Sequence, residues 1–159
     1  MSGTVAPVTA VITGSFLSGA MMSLTFITVP VFFDTTVDEV LLVNQWRRMY
    51  HYGHQIMPVL AIGTFALYAV TCIKYHAAKR PYGIFAAAAA ATVIMIPFTW
   101  FIMASTNNRL FQLEAASKMR SPTVEVTGVA ELLVTWNWLH FTRSLLPLSG
   151  AILGTLGIF

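Results

Sequence analysis

From Val5 to Phe33 the sequence contains no Asp, Glu, Lys or Arg, and from Met49 to Ile73 it again contains none. A helix that crosses a bilayer needs about 20 such residues in a row. At 159 residues the chain is one domain's worth, and its charged fraction is 9% against a hydrophobic fraction of 57%. Ordinary soluble proteins carry roughly 25% charged residues. These features define an all-α integral membrane protein. The net charge of +3 is spread along the chain with no basic tract interleaved with aromatics, so nucleic acid is not expected as a partner. The lone cysteine, Cys72, excludes a disulfide framework and reads as a small apolar residue within a span.

Four spans are expected, TM1 at about 5–33, TM2 at about 50–75, TM3 at about 82–104 and TM4 at about 132–158, forming one four-helix transmembrane domain over 1–159. The first run lacks a basic start and exceeds a signal-peptide core of about 7–15 residues, so it reads as a retained helix. Ser15, Gly19 and Ser23 recur every fourth residue, a spacing that suits close helix packing. Thr36 and Glu39 have capping-box spacing and predict a helix start at Val37. An unbroken helix from Val37 to Tyr75 would be about 58 Å long. It must then project from the membrane or bend near Gly53 and Pro58. Lys74, His76, Lys79 and Arg80 mark a headgroup-facing turn closed by Pro81. The alanine tract from Ala86 to Ala91 predicts tight helix contact. Pro97 leaves the Val93 carbonyl without its usual donor and favours a kink. Arg109 to Lys118 reads as a short extramembrane helical segment, and Ser121-Pro122 ends it before TM4.

With four crossings, the end of TM1, the start of TM2, the end of TM3 and the start of TM4 share one side of the membrane. The informative side chains cluster there. TM2 brings Trp46, Tyr50, His51 and His54; TM3 brings Thr106, Asn107 and Arg109; TM4 brings Trp136, Asn137, His140 and Arg143. Trp136, His140 and Arg143 stand at i, i+4 and i+7 and share one helix face. An arginine near a bilayer centre costs about 2.5–3.5 kcal/mol, so Arg143 should face the bundle with a partner, unless it snorkels to the headgroups. His51, His54 and His140 offer an alternative, a three-histidine site for copper or iron. The tryptophans are either an interfacial belt or the walls of a flat slot.

The chain resembles the fungal anthrone oxygenases, small four-helix membrane proteins of aromatic polyketide pathways. The resemblance rests on Phe16-Leu17-Ser18-Gly19-Ala20-Met21-Met22-Ser23-Leu24 with Val29-Pro30, and on Trp46 with Tyr50 and Gly53-His54. It extends over Pro97-Phe98-Thr99 through Thr106-Asn107 and Leu110, and over Trp136 through His140 to Arg143. It implies oxidation of an anthrone, such as emodin anthrone, to the anthraquinone by O2, in secondary metabolism. It implies no flavin, haem or metal, and the sequence has no Gly-rich nucleotide fingerprint and no Cys-based haem or iron–sulfur motif. An intracellular membrane such as the endoplasmic reticulum follows from the same likeness, and a homo-oligomer is compatible with it.

An anthrone has an acidic methylene opposite its carbonyl, so the chemistry needs a base, an oxyanion holder and a dry aromatic slot. His140 is the expected base. Arg143 and Asn107 are expected to hold the enolate oxygen, and His54 or Tyr50 to relay a proton. Trp136, Trp100, Phe98, Thr106, Trp46 and Asn137 are the candidates for contact with substrate. Two readings compete with this one. One is the metal-dependent oxygenase through His51, His54 and His140; the other is a non-enzymatic tetraspan scaffold that binds a lipophilic intermediate.

Overall fold

The computed structural model of the chain describes residues 4–119 and 126–159. Arg120 and the expected helix stop at Ser121-Pro122 lie outside the described residues. TM1 is built from α1 (Val5–Ser23), one π-helical turn (Leu24–Thr28) and α2 (Val29–Thr35). TM2 is the single helix α3 (Glu39–Ala77). TM3 comprises α4 (Gly83–Val93) and α5 (Met95–Phe101), and α6 (Ala104–Lys118) follows it. TM4 is α7 (Val129–Ile158). Among the described residues four helical stretches are long and apolar enough to cross a membrane, Val5–Thr35, Glu39–Ala77, Gly83–Phe101 and Val129–Ile158.

TM4 packs between TM1 and α4, and TM2 packs against the same two from the other side, closing a four-helix bundle. Its outer surface is apolar: Phe16, Phe26, Val59, Ile62, Ile152 and Leu156 are all exposed. Such a belt suits hydrocarbon and would be a liability in water. The chain is a membrane protein, and at about 1.5 Å per residue the 39 residues of α3 outrun a hydrocarbon core of about 30 Å. The helix is continuous through Gly53 and Pro58, and it packs beside α6. There Arg47 lies 5.3 Å over the Phe111 ring, and Lys118 pairs with the buried carboxylate of Glu114.

Three local expectations are corrected. The Ser15, Gly19 and Ser23 stripe is not the packed face: Ser15 and Gly19 are exposed, and a Cβ at Gly19 would meet nothing within 4 Å. The buried stripe runs one residue earlier, through Ala10, Gly14, Leu17, Ser18 and Met21, where Ser18 Oγ donates to the Ser144 carbonyl at 2.8 Å. The capping box does not form either. Helix α3 starts at Glu39 rather than Val37, because Asp38 Oδ1 accepts the Val40 N–H at 2.9 Å and serves as the N-cap. Glu39 is thereby freed, and its Oε2 accepts the Val129 N–H at 2.9 Å, so the first turn of TM2 caps the first turn of TM4. TM4 accordingly begins at Val129, ahead of the expected residue 132.

The alanine tract is packed as its composition suggests. Ala88 and Ala89 are buried, and Gly150 of TM4 meets them so closely that a Cβ there would stand 2.8 Å from the Ala88 carbonyl oxygen. Beside it Tyr68 donates to the Gly150 carbonyl at 3.0 Å. TM3 breaks at Ile94, next to the Val93 carbonyl that Pro97 cannot serve, and again at Ile102–Met103. The second break makes α6 a separate helix.

Candidate active site

The expected polar side chains converge on one hydrogen-bonded ladder. Asn107, at the first turn of α6, is buried, and its Oδ1 accepts the Trp136 Nε1–H at 3.0 Å. The Trp136 indole stacks on the His140 imidazole, with ring centroids 4.6 Å apart and planes 12° apart. His140 is buried, and its Nε2 faces the Met21 carbonyl at 3.1 Å. A carbonyl only accepts, so Nε2 carries the proton. The other nitrogen, Nδ1, is then the acceptor for Arg143 Nη2 at 2.7 Å. Arg143 Nη1 donates to Thr99 Oγ1 at 2.6 Å, and Thr99 in turn donates to the Met95 carbonyl at 2.9 Å. One ladder thus ties TM1, TM3 and TM4 together through Met21, Thr99 and Asn107.

Arg143 does not snorkel. Its side chain turns into the bundle, where it donates to Thr99 and His140. Among the described residues no carboxylate pairs with it, and its Nε is buried without a hydrogen-bond partner. An uncompensated guanidinium inside a membrane bundle is costly and marks a functional group by default.

Above the ladder lies a cavity of about 230 Å³. TM2 contributes Tyr50, Gly53, His54, Met49 and Met57; TM3 contributes Met95, Ile96, Thr99 and Trp100; TM4 contributes Trp136, His140 and Arg143; TM1 contributes Leu24. The wall is mostly apolar, and the polar groups on it are few. Small-molecule pockets have this character, at volumes of roughly 300–1,000 Å³ for drug-sized ligands. His54 shares the wall with Tyr50, whose ring it stacks against at 5.5 Å and 13°. Its Nδ1 donates to the Tyr50 carbonyl at 3.1 Å, the bond from residue i to i−4 on the same helix. In the neutral ring this leaves the Nε2 lone pair free, and no described residue hydrogen-bonds it.

Other candidates take different places. Trp46 is fully buried among Tyr50, Phe111 and Trp136 and does not line the cavity. Asn107 acts on the cavity only through Trp136. Phe98 packs into the core around Trp46, while Thr106 and Asn137 are half-buried and off the cavity wall. Trp100 lines the cavity yet is 69% exposed, so it forms the lipid-facing rim.

The three-histidine alternative does not assemble. Among the described residues no group of three His, Cys, Asp or Glu is placed to hold a metal ion. His51 and His54 are neighbours, with ring centroids 5.8 Å apart, but His51 opens onto a separate polar hollow with Arg47, Arg48 and Glu114. His140 has both nitrogens committed, one of them to a cation.

Sequence reasoning missed Thr99 as the anchor of Arg143, although it is the one hydroxyl between Val93 and Met103. The Met21 contribution is a backbone carbonyl and has no side-chain signal. The π turn beside it had one: Pro30 follows directly and withdraws a donor from the Phe26 carbonyl. π turns of this kind gather at functional sites.

The fold and cavity define a four-span membrane protein with a largely apolar cavity and a half-buried cation on its wall. The chain belongs to the anthrone oxygenase family, whose family model matches residues 46–153. It is 56% identical over 159 residues to an anthrone oxygenase of Paecilomyces divaricatus, covering 99% of this chain and 97% of that one. It is 45% identical to an anthrone oxygenase of Aspergillus novofumigatus, covering 92% and 88% of the two chains. A noranthrone monooxygenase of Aspergillus flavus is 37% identical, covering 94% of this chain and 71% of its own. No solved structure matches the chain. The family is one of oxygenases, and the chain is an oxidoreductase of that kind.

Proposed function

We propose that this protein oxidises an anthrone of the emodin-anthrone type to the corresponding anthraquinone with O2. The observation that carries the reading is Arg143: a guanidinium with no carboxylate partner at the wall of an apolar chamber, suited to a flat ligand that becomes an anion. The names of the related anthrone oxygenases supply the substrate class.

The balance requires no further reductant. The methylene loses two C–H bonds and gains a carbonyl; one oxygen atom enters the quinone and the other leaves in water. All the electrons that reduce O2 come from the substrate. Removal of one methylene proton gives an electron-rich enolate. The enolate passes one electron to O2, which avoids the spin barrier to direct reaction. The radical pair recombines to a hydroperoxide, the hydroperoxide loses water, and the carbonyl forms. Because the electron donor is the substrate itself, we propose that no metal or organic cofactor takes part.

The residue roles follow the hydrogen bonds. Arg143 holds the developing enolate oxygen, with guanidinium N–H groups beyond the two that bind Thr99 and His140. The base is assigned to His54 rather than His140. His54 has a free Nε2 on the cavity wall, whereas the lone pair of His140 is occupied by Arg143. Tyr50, stacked on His54, is placed to relay the proton. His140 is a positioning residue that holds Arg143 and backs Trp136. The Trp136 and Trp100 rings frame the slot. Both the substrate and O2 partition into lipid, and family likeness alone places that lipid in an intracellular membrane such as the endoplasmic reticulum.

The test is anthrone-dependent oxygen uptake by purified, chelator-treated protein of assayed metal content. Quinone formation well above the spontaneous rate, with metal absent, is expected. Uptake lost on stripping and restored by copper or iron would overturn the metal-free reading. Saturable ligand binding with no uptake would leave the scaffold reading instead.

A further inference from the structure

Beside the catalytic chamber a second space of about 620 Å³ opens between TM1 and TM2. It is an open, mostly apolar groove, with Asn44, Gln45 and Arg48 also in its lining, and Tyr52 and Ile56 there are both more than half exposed. The two spaces are adjacent: Leu24, Met49, Gly53 and Met57 line both. Met49, Gly53 and Met57 are four residues apart and form one stripe of α3, while Leu24 opens the π turn of TM1. The partition between groove and chamber therefore consists of two unbranched, adaptable methionines, one leucine and a gap where a side chain is missing.

Gly53 is not there for packing. A Cβ at this position would meet nothing within 4 Å. Glycine inside a helix costs about 1 kcal/mol relative to alanine, and here no close helix contact or positive φ requires it. We infer that the groove is a lateral portal through which a planar tricyclic substrate passes from the bilayer into the chamber, with Gly53 as its sill and Met49 and Met57 as movable jambs. The inference rests on the proposed substrate class.

The test uses binding, not turnover. Emodin, the quinone, serves as a non-reacting probe, and its association with protein in phosphatidylcholine nanodiscs is followed by quenching of tryptophan fluorescence. An obstructed portal slows entry and exit alike. Gly53→Phe is therefore expected to lower kon and koff together, by about tenfold, as when binding must wait for a conformational change. Kd should change little. Gly53→Ala and Gly53→Leu should give smaller, graded effects and cover the case in which the phenylalanine variant does not fold. Gly63→Phe is the control, since Gly63 lies on the same helix, also has open space at its Cβ, and lines neither space.

Unchanged rates in the Gly53 series overturn the portal. So does a raised koff at unchanged kon, which would make Gly53 merely a wall of the binding site. Equal slowing by Gly63→Phe, or no saturable quenching in the wild type, overturns it too. The two readings fail separately. Wild-type protein that binds emodin with the predicted rate pattern but leaves emodin anthrone unoxidised loses the reaction and keeps the portal.

Discussion

Arg143 donates to His140 Nδ1 at 2.7 Å, so the cation occupies the very lone pair that general-base catalysis by this histidine would use. The pair is one rung of the ladder that begins at Asn107 and ends at Thr99. In the proposed mechanism it divides the two duties that a single histidine would otherwise carry, with one imidazole to hold charge in place and the other, His54, to move protons.

Replacement of His54 and of His140 should therefore give different signatures. His54→Ala is expected to lower kcat by about 10²–10⁴, the usual worth of a positioned base. His140→Ala should also reduce turnover, through a misplaced Arg143, and His140→Asn, whose amide oxygen can still accept from Arg143, should recover part of it, whereas His54→Asn should recover none. Steady-state quinone formation by the four variants distinguishes the two. If His54→Asn recovers turnover and His140→Asn does not, the assignment is reversed.

Arg143→Met removes the proposed oxyanion contact and should cost about 10²–10³ in kcat, as loss of one such donor does elsewhere. It also removes a charge that has no carboxylate partner but strands the buried His140 Nδ1, so the two effects oppose and thermal stability should change little. Arg143→Lys keeps the charge but cannot reach Thr99 and His140 with one planar fork, and should recover little activity. Parallel activity and thermal-unfolding measurements separate the large loss of turnover from the small change in stability.

The Asn107 and Trp136 pair can be measured by a double-mutant cycle. Asn107→Ala leaves the indole N–H unpaired, and Trp136→Phe leaves the amide oxygen unpaired. Each should destabilise by about 1–3 kcal/mol for the stranded polar group, beyond any packing loss. The double variant should lose less than the sum, because neither group is then stranded opposite a missing partner. Additive losses would mean the 3.0 Å contact carries no coupling.

Glu39→Ala tests the cap that reaches from TM2 to TM4. Loss of a capping acceptor costs about 0.5–2 kcal/mol. Faster hydrogen exchange should follow at the first turn of α7, near Val129, and should leave the far half of that helix untouched.

Gly150→Ala should be far more damaging than its size suggests. The added carbon would stand 2.8 Å from the Ala88 carbonyl oxygen, and relief requires the two helices to separate. A destabilisation of about 1–3 kcal/mol is expected, as for overpacking elsewhere. Gly19→Ala, with open space at the same atom, should be neutral or mildly stabilising when unfolding is followed in the same detergent.

What could be read before the structure, and what could not, divides along physical lines. The spans were legible because lipid tolerates no charged residue without a reason, which leaves long charge-free runs such as Val5 to Phe33. The gathering of Trp136, His140, Arg143, Asn107 and His54 at one end followed from the number of crossings alone. Atom-level partners were not legible. Which nitrogen of His140 faces Met21 depends on the rotation of TM1 against TM4, and the pattern of small residues suggested a face one residue away from the one that packs. Glu39 looked like the cap of its own helix because spacing along a chain is blind to a helix ninety residues further on. Trp46, Phe98, Thr106 and Asn137 were expected at the cavity because they lie near its level, but level is not direction.

The contact between His140 and the Met21 carbonyl joins the first span to the last. During synthesis, TM1, TM2 and TM3 enter the bilayer before the residues that complete the chamber have left the ribosome. A nascent chain with three spans has neither the arginine that would hold an anthrone's anion nor the indole that would flank its rings. In the proposed mechanism oxygen chemistry must therefore wait for insertion of the final helix, and a chain truncated before TM4 is expected to be inert rather than half-active.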